Sequence, residues 1–362
     1  MISNRTVSVI IPTYNRSKLI GRAVESVLCQ SYDKIEIIVI DDGSTDETKD
    51  ILRRFGDKIR YLESEHKGTA HARNMGMRAA TGRYLAFLDS DDVYLPYKIE
   101  LQVEYMEEHP SIGMVCTEFS GQYENGNFDE CLIKKYHPIW NERGWNYEDV
   151  FIEKGDFISR VLNKRIDYFA GNIFKHVLQD TLIATNTIFF EKKILDVVGY
   201  QNTQYRFAQE YEFVVRICKH FRVAFLDIPT YVLHFHGNQS TAFLMRNRFL
   251  EEKDLLKKIE NWSVFLKAVM DWGFNDKAFY RANKRLIDDR MMELNYTIGK
   301  DWLIYGDVSR AREYFFTSYR FKRLNAKLYP YLLISMMPEK IRQSVLRALI
   351  KIWSDKAGIV SS

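Results

Sequence analysis

Three carboxylates crowd into four residues at Asp89-Ser90-Asp91-Asp92. Such a cluster repels itself unless a cation neutralises it. No His or Cys stands beside it, and oxygen donors alone suit Mg²⁺ or Mn²⁺, hard ions that keep part of their water shell and bridge phosphates. A second acidic pair opens the run Asp41-Asp42-Gly43-Ser44 and can accept hydrogen bonds from a base or ribose. Ala72-Arg73-Asn74 supplies a guanidinium, the natural partner of a diphosphate. Each feature also has a plainer reading. These are a solvated acidic turn with Asp91 or Asp92 capping a helix near Pro96, a turn with a cap at Ser44, and a surface arginine on an amphipathic helix.

Position gives these residues their weight. Val7–Ile11 is a β-branched run stopped by Pro12, so it reads as a buried strand. Ile35–Ile40 and Tyr84–Leu88 read the same way, with a shorter strand at Ile59–Leu62. Leu19, Ile20, Ala23, Val24, Val27 and Leu28 recur at helical spacing. Ser44-Thr45-Asp46-Glu47 has the form of a capping box opening a helix through Phe55. Thr69–Ala80 reads as a helix stopped by Gly82. Strands alternating with helices imply βαβ units, a parallel sheet and right-handed crossovers. Ligands of such sheets bind beyond the carboxyl ends of the strands. Here those ends carry Thr13-Tyr14, Asp41-Asp42 and Asp89 to Asp92, so three polar clusters converge on one crevice.

The rest of the chain is less regular at first. Residues 121–180 read as an insertion with some helix. Leu182–Phe190 reads as a strand, Glu191–Val198 as a short helix, and Glu210–Phe221 as a helix with Phe213, Val214 and Ile217 inward. Val223–Leu226 and Tyr231–Phe235 read as two strands. From about Phe243 the pattern is helical, and Gly299, Trp302, Ala311, Phe315 and Ser318 sit at the spacing of one tetratricopeptide-like helix pair, although a single unit is more plainly read as an ordinary helical hairpin. Three regions follow: 1–120, 121–242 and 243–362.

Four linked motifs carry a resemblance. Val7 to Arg16, Val39 to Asp46, Ala72 to Gly76 and Phe87 to Asp92 are similar, in order and spacing, to the family 2 glycosyltransferases of the GT-A fold. The resemblance is strong over about 5–120, weaker to about 240, and does not cover the tail. It implies an α/β fold, a Rossmann-like nucleotide-binding mixed sheet flanked by helices, here with a C-terminal helical extension. It also implies metal-dependent, inverting sugar transfer from a nucleoside diphosphate donor, a UDP-sugar by family habit, to a glycan or lipid-linked acceptor. Pro12, Thr13, Tyr14, Asn15 and Arg16, with Asp42, Arg73, Asp89 and Ser90, form the implied donor set. Thr13 and Tyr14 border the base and Asp42 bonds it. Arg73 lies near the diphosphate, and Asp89 faces ribose or the water shell of the metal. Asp91 matches the direct ligand of Mn²⁺ or Mg²⁺, and His236 matches a histidine that ligates the ion or donates to the leaving group. Glu210 stands where the family places its catalytic base, usually an Asp, with Glu212 as a rival.

Two other readings compete. Asp89 and Asp91 after an apolar strand also fit a haloacid-dehalogenase-type phosphatase, although that motif normally lies near a chain start. The Glu at position 210 leaves room for a nucleotide-sugar-binding protein without turnover. An NAD enzyme has no support, since no GxGxxG follows a strand.

Composition sets the outer limits. With 46% hydrophobic and 28% charged residues, wholesale disorder is excluded. The four scattered cysteines read as buried thiols of a reducing compartment, and no run approaches a membrane span, so a cytoplasmic protein is expected. The net charge of +4 is uneven: residues 320–356 carry +7 and the remainder −3. Ile341, Val345, Leu349 and Trp353 recur every four residues among lysines and arginines. Residues 329–356 therefore read as a surface for an anionic membrane, peripheral on its inner face, with the protein core or a second subunit as alternatives. No nucleic-acid partner is expected.

Overall fold

The computed structural model describes residues 5–137, 139–236, 252–322 and 326–356. The chain divides into two compact units, Met1–His236 and Gly237–Ser362. The expected boundary at 242/243 and the run Gly237-Asn238-Gln239-Ser240 lie outside the described residues, as do Arg323 and the side chains of Lys351, Trp353 and Lys356.

The first unit opens with β1 (Val7–Thr13), α1 (Ile20–Leu28), β2 (Ile35–Asp41), α2 (Thr48–Arg53), β3 (Arg60–Glu63), α3 (Thr69–Ala79) and β4 (Tyr84–Phe87). It continues with β5 (Val93–Tyr94), α4 (Lys98–Glu108), β6 (Ile112–Tyr123), β7 (Phe128–Asp129), α5 (Ile133–Tyr136), α6 (Ile139–Glu142) and α7 (Tyr147–Val150). β8 (Glu153–Ser159), β9 (Lys164–Gly171), α8 (Phe174–Val177), β10 (Phe189–Glu191), α9 (Leu195–Val198), α10 (Gln209–His220) and β11 (Arg222–Phe235) complete it.

The eleven strands of the described residues join one sheet, in the order β3-β2-β1-β4-β10-β6-β11-β9-β8, with β5 on β11 and β7 on β6. β3, β2, β1 and β4 are mutually parallel. Beyond them β10 is antiparallel to both β4 and β6, so the sheet is mixed. Every residue of β1 is buried, as a strand covered on both faces must be. Val9, Ile10, Ile38, Val39, Leu85 and Phe87 are fully buried, each worth about 1.5–3 kcal/mol of transfer free energy. Pro12 costs β1 little. Its missing N–H would face β4, and that ladder ends at Ile10↔Phe87.

Several expected elements form differently. The capping box at Ser44 does not form: α2 begins at Thr48 without a side-chain cap from Ser44. Ser44 instead gives its N–H to Asp41 Oδ1 and takes the Asn15 N–H on its hydroxyl. Leu182–Phe190 joins the sheet only from Phe189, because a 3₁₀ turn at Thr185–Thr187 carries the Asn186 side chain inward. The two expected strands after α10 are one strand, β11, whose register shifts on either side of Pro229, a residue with no N–H for the ladder. The 121–180 insertion holds the end of β6 and the β8–β9 hairpin, and the expected boundary at 120/121 falls inside β6. Two cysteines, Cys116 and Cys218, are buried thiols, but Cys29 and Cys131 are exposed.

The second unit is helical: α11 (Glu252–Ala268), α12 (Lys277–Ala282), α13 (Lys284–Tyr305), α14 (Val308–Phe321), α15 (Leu328–Met336) and α16 (Glu339–Lys356). α13 and α14 form the expected hairpin. Gly306, at φ +107°, ends α13, and Asp307 caps α14 by accepting the Arg310 N–H at 3.0 Å. Gly299 lets the helices approach: a Cβ there would lie 2.8 Å from the Phe315 ring. Trp302, Ala311, Phe315 and Ser318 are buried in this hairpin. Among the described residues no helix is long and apolar enough to cross a membrane.

Candidate functional site

The parallel register brings the three polar clusters together. Thr13 ends β1 opposite Asp41, the last residue of β2, and Asp89–Asp92 follows β4. Thr13 is buried, and its hydroxyl has no hydrogen-bond partner among the described residues. Asn15 turns the chain at φ +50° and accepts the Thr45 N–H on Oδ1 at 2.7 Å. Tyr14, partly exposed, lies 4.0 Å from the His66 ring, centroid to centroid. An aromatic pair at a strand end offers a face on which a base can stack.

Asp42 is buried, and its two oxygens accept the N–H groups of Lys67 and Gly68 at 2.9 and 2.7 Å. It thus anchors the loop that carries His66, whose Nδ1 lies 3.1 Å from the Asp42 carbonyl oxygen. Gly43, at φ +81°, permits the turn between them.

The three carboxylates after β4 have three different neighbourhoods. Asp89 pairs with Arg73 NH2 at 2.7 Å. Asp92 is wholly buried, taking the Asn186 amide on one oxygen at 2.6 Å and the His234 N–H on the other at 2.9 Å. Burial, then the charges of Asp91 and Asp89, push the Asp92 carboxyl well above its usual range. Asn186 also accepts the Asp89 N–H at 3.0 Å, so one amide braces both ends of the acidic turn. Ser90 is buried between them. Asp91 is left facing the crevice, with His236 Nε2 at 3.1 Å and Arg16 Nε at 3.8 Å from its Oδ2.

Arg73 is almost completely buried on α3, not a surface arginine. Its NH1 pairs with Glu210 Oε1 at 2.6 Å while NH2 holds Asp89. Burial opposes the charge, but the two carboxylates outweigh it and hold the guanidinium above its ordinary pKa. One cation thus ties the acidic turn to the start of α10. The neighbouring Asn74 reinforces the link, exchanging two hydrogen bonds with the backbone of Gln201 at 2.8 and 2.9 Å. Glu212 is held in a fork by Arg216, at 2.8 and 2.9 Å, and Arg216 also donates to the Val198 and Tyr200 carbonyls. Glu212 is therefore a strut for α10, whereas Glu210 is part-exposed in the crevice with Oε2 outside the Arg73 bond.

Asn186, His66 and Asn74 enter this site without having been read from the sequence as binding residues. Asn74 lay inside a motif, but Asn186 sits in a plain Thr-Asn-Thr run with no pattern to mark it.

Among the described residues no three His, Cys, Asp or Glu side chains gather as a metal cage. Asp91 and His236 form a two-donor set instead. Such a set fits a hard divalent ion that takes its remaining positions from water and phosphate oxygens.

The model of glycosyl transferase family 2 matches residues 8–171. An uncharacterized glycosyltransferase of Rickettsia typhi is 43% identical over 263 residues, 73% of this chain and 72% of the relative. The Escherichia coli UDP-Glc:alpha-D-GlcNAc-diphosphoundecaprenol beta-1,3-glucosyltransferase WfaP is 48% identical over 103 residues, 28% of this chain and 41% of that protein. The chain spans only about a quarter of three curated relatives from Rickettsia felis, Rickettsia conorii and Rickettsia bellii: 26%, 26% and 23% of their lengths. In fold, the chain superposes on S. aureus TarS 1-349 in complex with UDP-GlcNAc with a TM-score of 0.60, at 18% identity over 99% of this chain and 93% of that one. For the mannosyltransferase PcManGT of Pyrobaculum calidifontis in complex with GDP-Man and Mn²⁺ the score is 0.51, at 16% identity over 98% and 83%. The phosphatase reading falls with these matches. The chain belongs to glycosyltransferase family 2 and has the GT-A fold.

Proposed function

We propose that this protein moves a sugar, with inversion, from a nucleoside diphosphate donor to a hydroxyl of a glycan or lipid-linked glycan. A UDP-sugar is the favoured donor, in keeping with the UDP-Glc in the name of WfaP and the UDP-GlcNAc bound to TarS. The observation that carries the reading is the buried Arg73 bridge. It sets a carboxylate at a helix start, Glu210, beside the acidic turn where a diphosphate would sit.

Inversion by direct displacement needs a base on the face opposite the leaving group. Glu210 Oε2 takes the proton of the acceptor hydroxyl as that oxygen bonds to the anomeric carbon. The bond from that carbon to the diphosphate oxygen breaks, and the electron pair leaves with the nucleoside diphosphate. Thr13, Tyr14 and His66 border the base, and Asp42 fixes the loop that brings His66 there. Asp91 and His236 would hold a divalent ion, Mn²⁺ or Mg²⁺, which when bound neutralises charge on the departing diphosphate. Mn²⁺ in the PcManGT complex is consistent with this.

The test is a screen of UDP-, GDP- and dTDP-sugars with Mn²⁺ or Mg²⁺, reading release of nucleoside diphosphate. Turnover with one donor is expected, and Glu210→Gln should lower it about 10²–10⁴-fold while UDP binding stays unchanged. Full turnover in Glu210→Gln would contradict Glu210 as base. Binding without turnover for every donor would favour the nucleotide-sugar-binding alternative.

A further inference from the structure

The helical unit exposes an apolar stripe inside a strongly basic segment. On α15, Tyr329, Leu333 and Met336 fall at i, i+4 and i+7, within one narrow arc of the helix. Leu333 is 62% exposed and Met336 53%, while Leu328, Ile334 and Ser335 on the other side are buried. Ile341, at the start of α16, is 55% exposed. Arg312 of α14 donates to the Ser335 carbonyl and so docks that face of α14 on α15. Phe316 and Tyr319 of α14 are exposed as well.

Single exposed apolar residues are ordinary, but an aligned set needs a cover. The cover is identified by charge. Residues 320–356 carry +7, and Arg320, Lys340 and Arg347 within that segment are exposed. A second copy of this segment would bring +7 against +7. A nucleic acid would meet the charge but leave Leu333 and Met336 in water. A surface that is anionic outside and apolar just beneath satisfies both features. We propose that α15 and the start of α16 lie on an anionic lipid bilayer, with Leu333, Met336 and Ile341 in the acyl boundary and the basic residues among the headgroups. Among the described residues no helix is long and apolar enough to span, and the contact proposed is with the bilayer surface. The proposal is independent of the catalytic reading.

Flotation of the 362-residue chain tests it. Vesicles of equal parts phosphatidylglycerol and phosphatidylcholine should carry at least about tenfold more protein than phosphatidylcholine alone. The Leu333→Asp/Met336→Asp pair should lower that partition at least about tenfold, and so, separately, should Lys340→Glu/Arg347→Glu. Circular dichroism should show helix content retained, since all four side chains are exposed. Equal flotation with both vesicle types, flotation with neither, or variants that float like the parent would overturn the proposal. Absence of flotation together with a dimer broken by Leu333→Asp would reassign the stripe to a second copy.

Discussion

Arg73 serves two carboxylates with one charge, and its burial makes the arrangement sensitive. Removing Arg73 leaves two carboxylates, 36% and 26% exposed, that water can partly solvate, so the cost falls below the roughly 3–5 kcal/mol of a fully buried pair. Arg73→Met should therefore destabilise the fold and lower turnover at least about 100-fold, because Glu210 loses the contact that sets its position. Lysine does not rescue this: a point charge on a flexible stem cannot reproduce a fork between Asp89 and Glu210. A double-mutant cycle of Arg73→Met with Glu210→Gln separates the link from general damage. Urea unfolding should give a coupling of about 1–3 kcal/mol, and additive losses would contradict a direct bridge. The spacing of Asp89, Asp91 and Asp92 was legible in the sequence. Their differing surroundings were not, because Arg73 and Asn186 lie 16 and 94 positions away from the carboxylates they bind.

The strands that build the crevice, β1, β2 and β4, were legible because their centres, Val9–Ile11, Ile37–Ile40 and Tyr84–Phe87, are buried and read as apolar runs. The β8–β9 hairpin was not. It forms the sheet edge, and all its exposed positions but Ile158 carry Lys, Glu, Asp or Arg, which blunt both aggregation and the apolar alternation. The short helices between β7 and β8 pack on buried aromatics with no periodicity long enough to read. They also hold a pH-sensitive element. His137, closing α5, is buried, and burial lowers its imidazole to about 3. Between about 6.5 and 3 the unfolded chain then carries a proton that the folded chain does not, so stability falls as pH falls. The loss from His137 alone should be about 2 kcal/mol on going from pH 7 to pH 5. Burial lowers His176 to about 4, with the same sign. In urea titrations at the two pH values, His137→Leu should lose less stability on acidification than the parent protein. Equal losses would show that His137 is solvated.

At the scale of the whole molecule, the sequence divides as the charge does, into a first unit that holds the motifs and a basic helical second unit. The hairpin of α13 and α14 was legible because small residues at Gly299, Ala311 and Ser318 mark a close helix crossing. The family model matches within the first unit, where the motifs lie at strand ends that the register aligns. The central claim is that Asp91 and His236, left facing the crevice when Arg73, Asn186 and the His234 N–H have taken the other carboxylates, hold a divalent ion together with a diphosphate. Electron paramagnetic resonance of Mn²⁺ titrated into the protein, with and without UDP, measures this directly. Mn²⁺ should bind more tightly in the presence of UDP, and Asp91→Asn should weaken that binding at least about tenfold. Mn²⁺ binding that is indifferent to UDP and unchanged in Asp91→Asn would contradict the account.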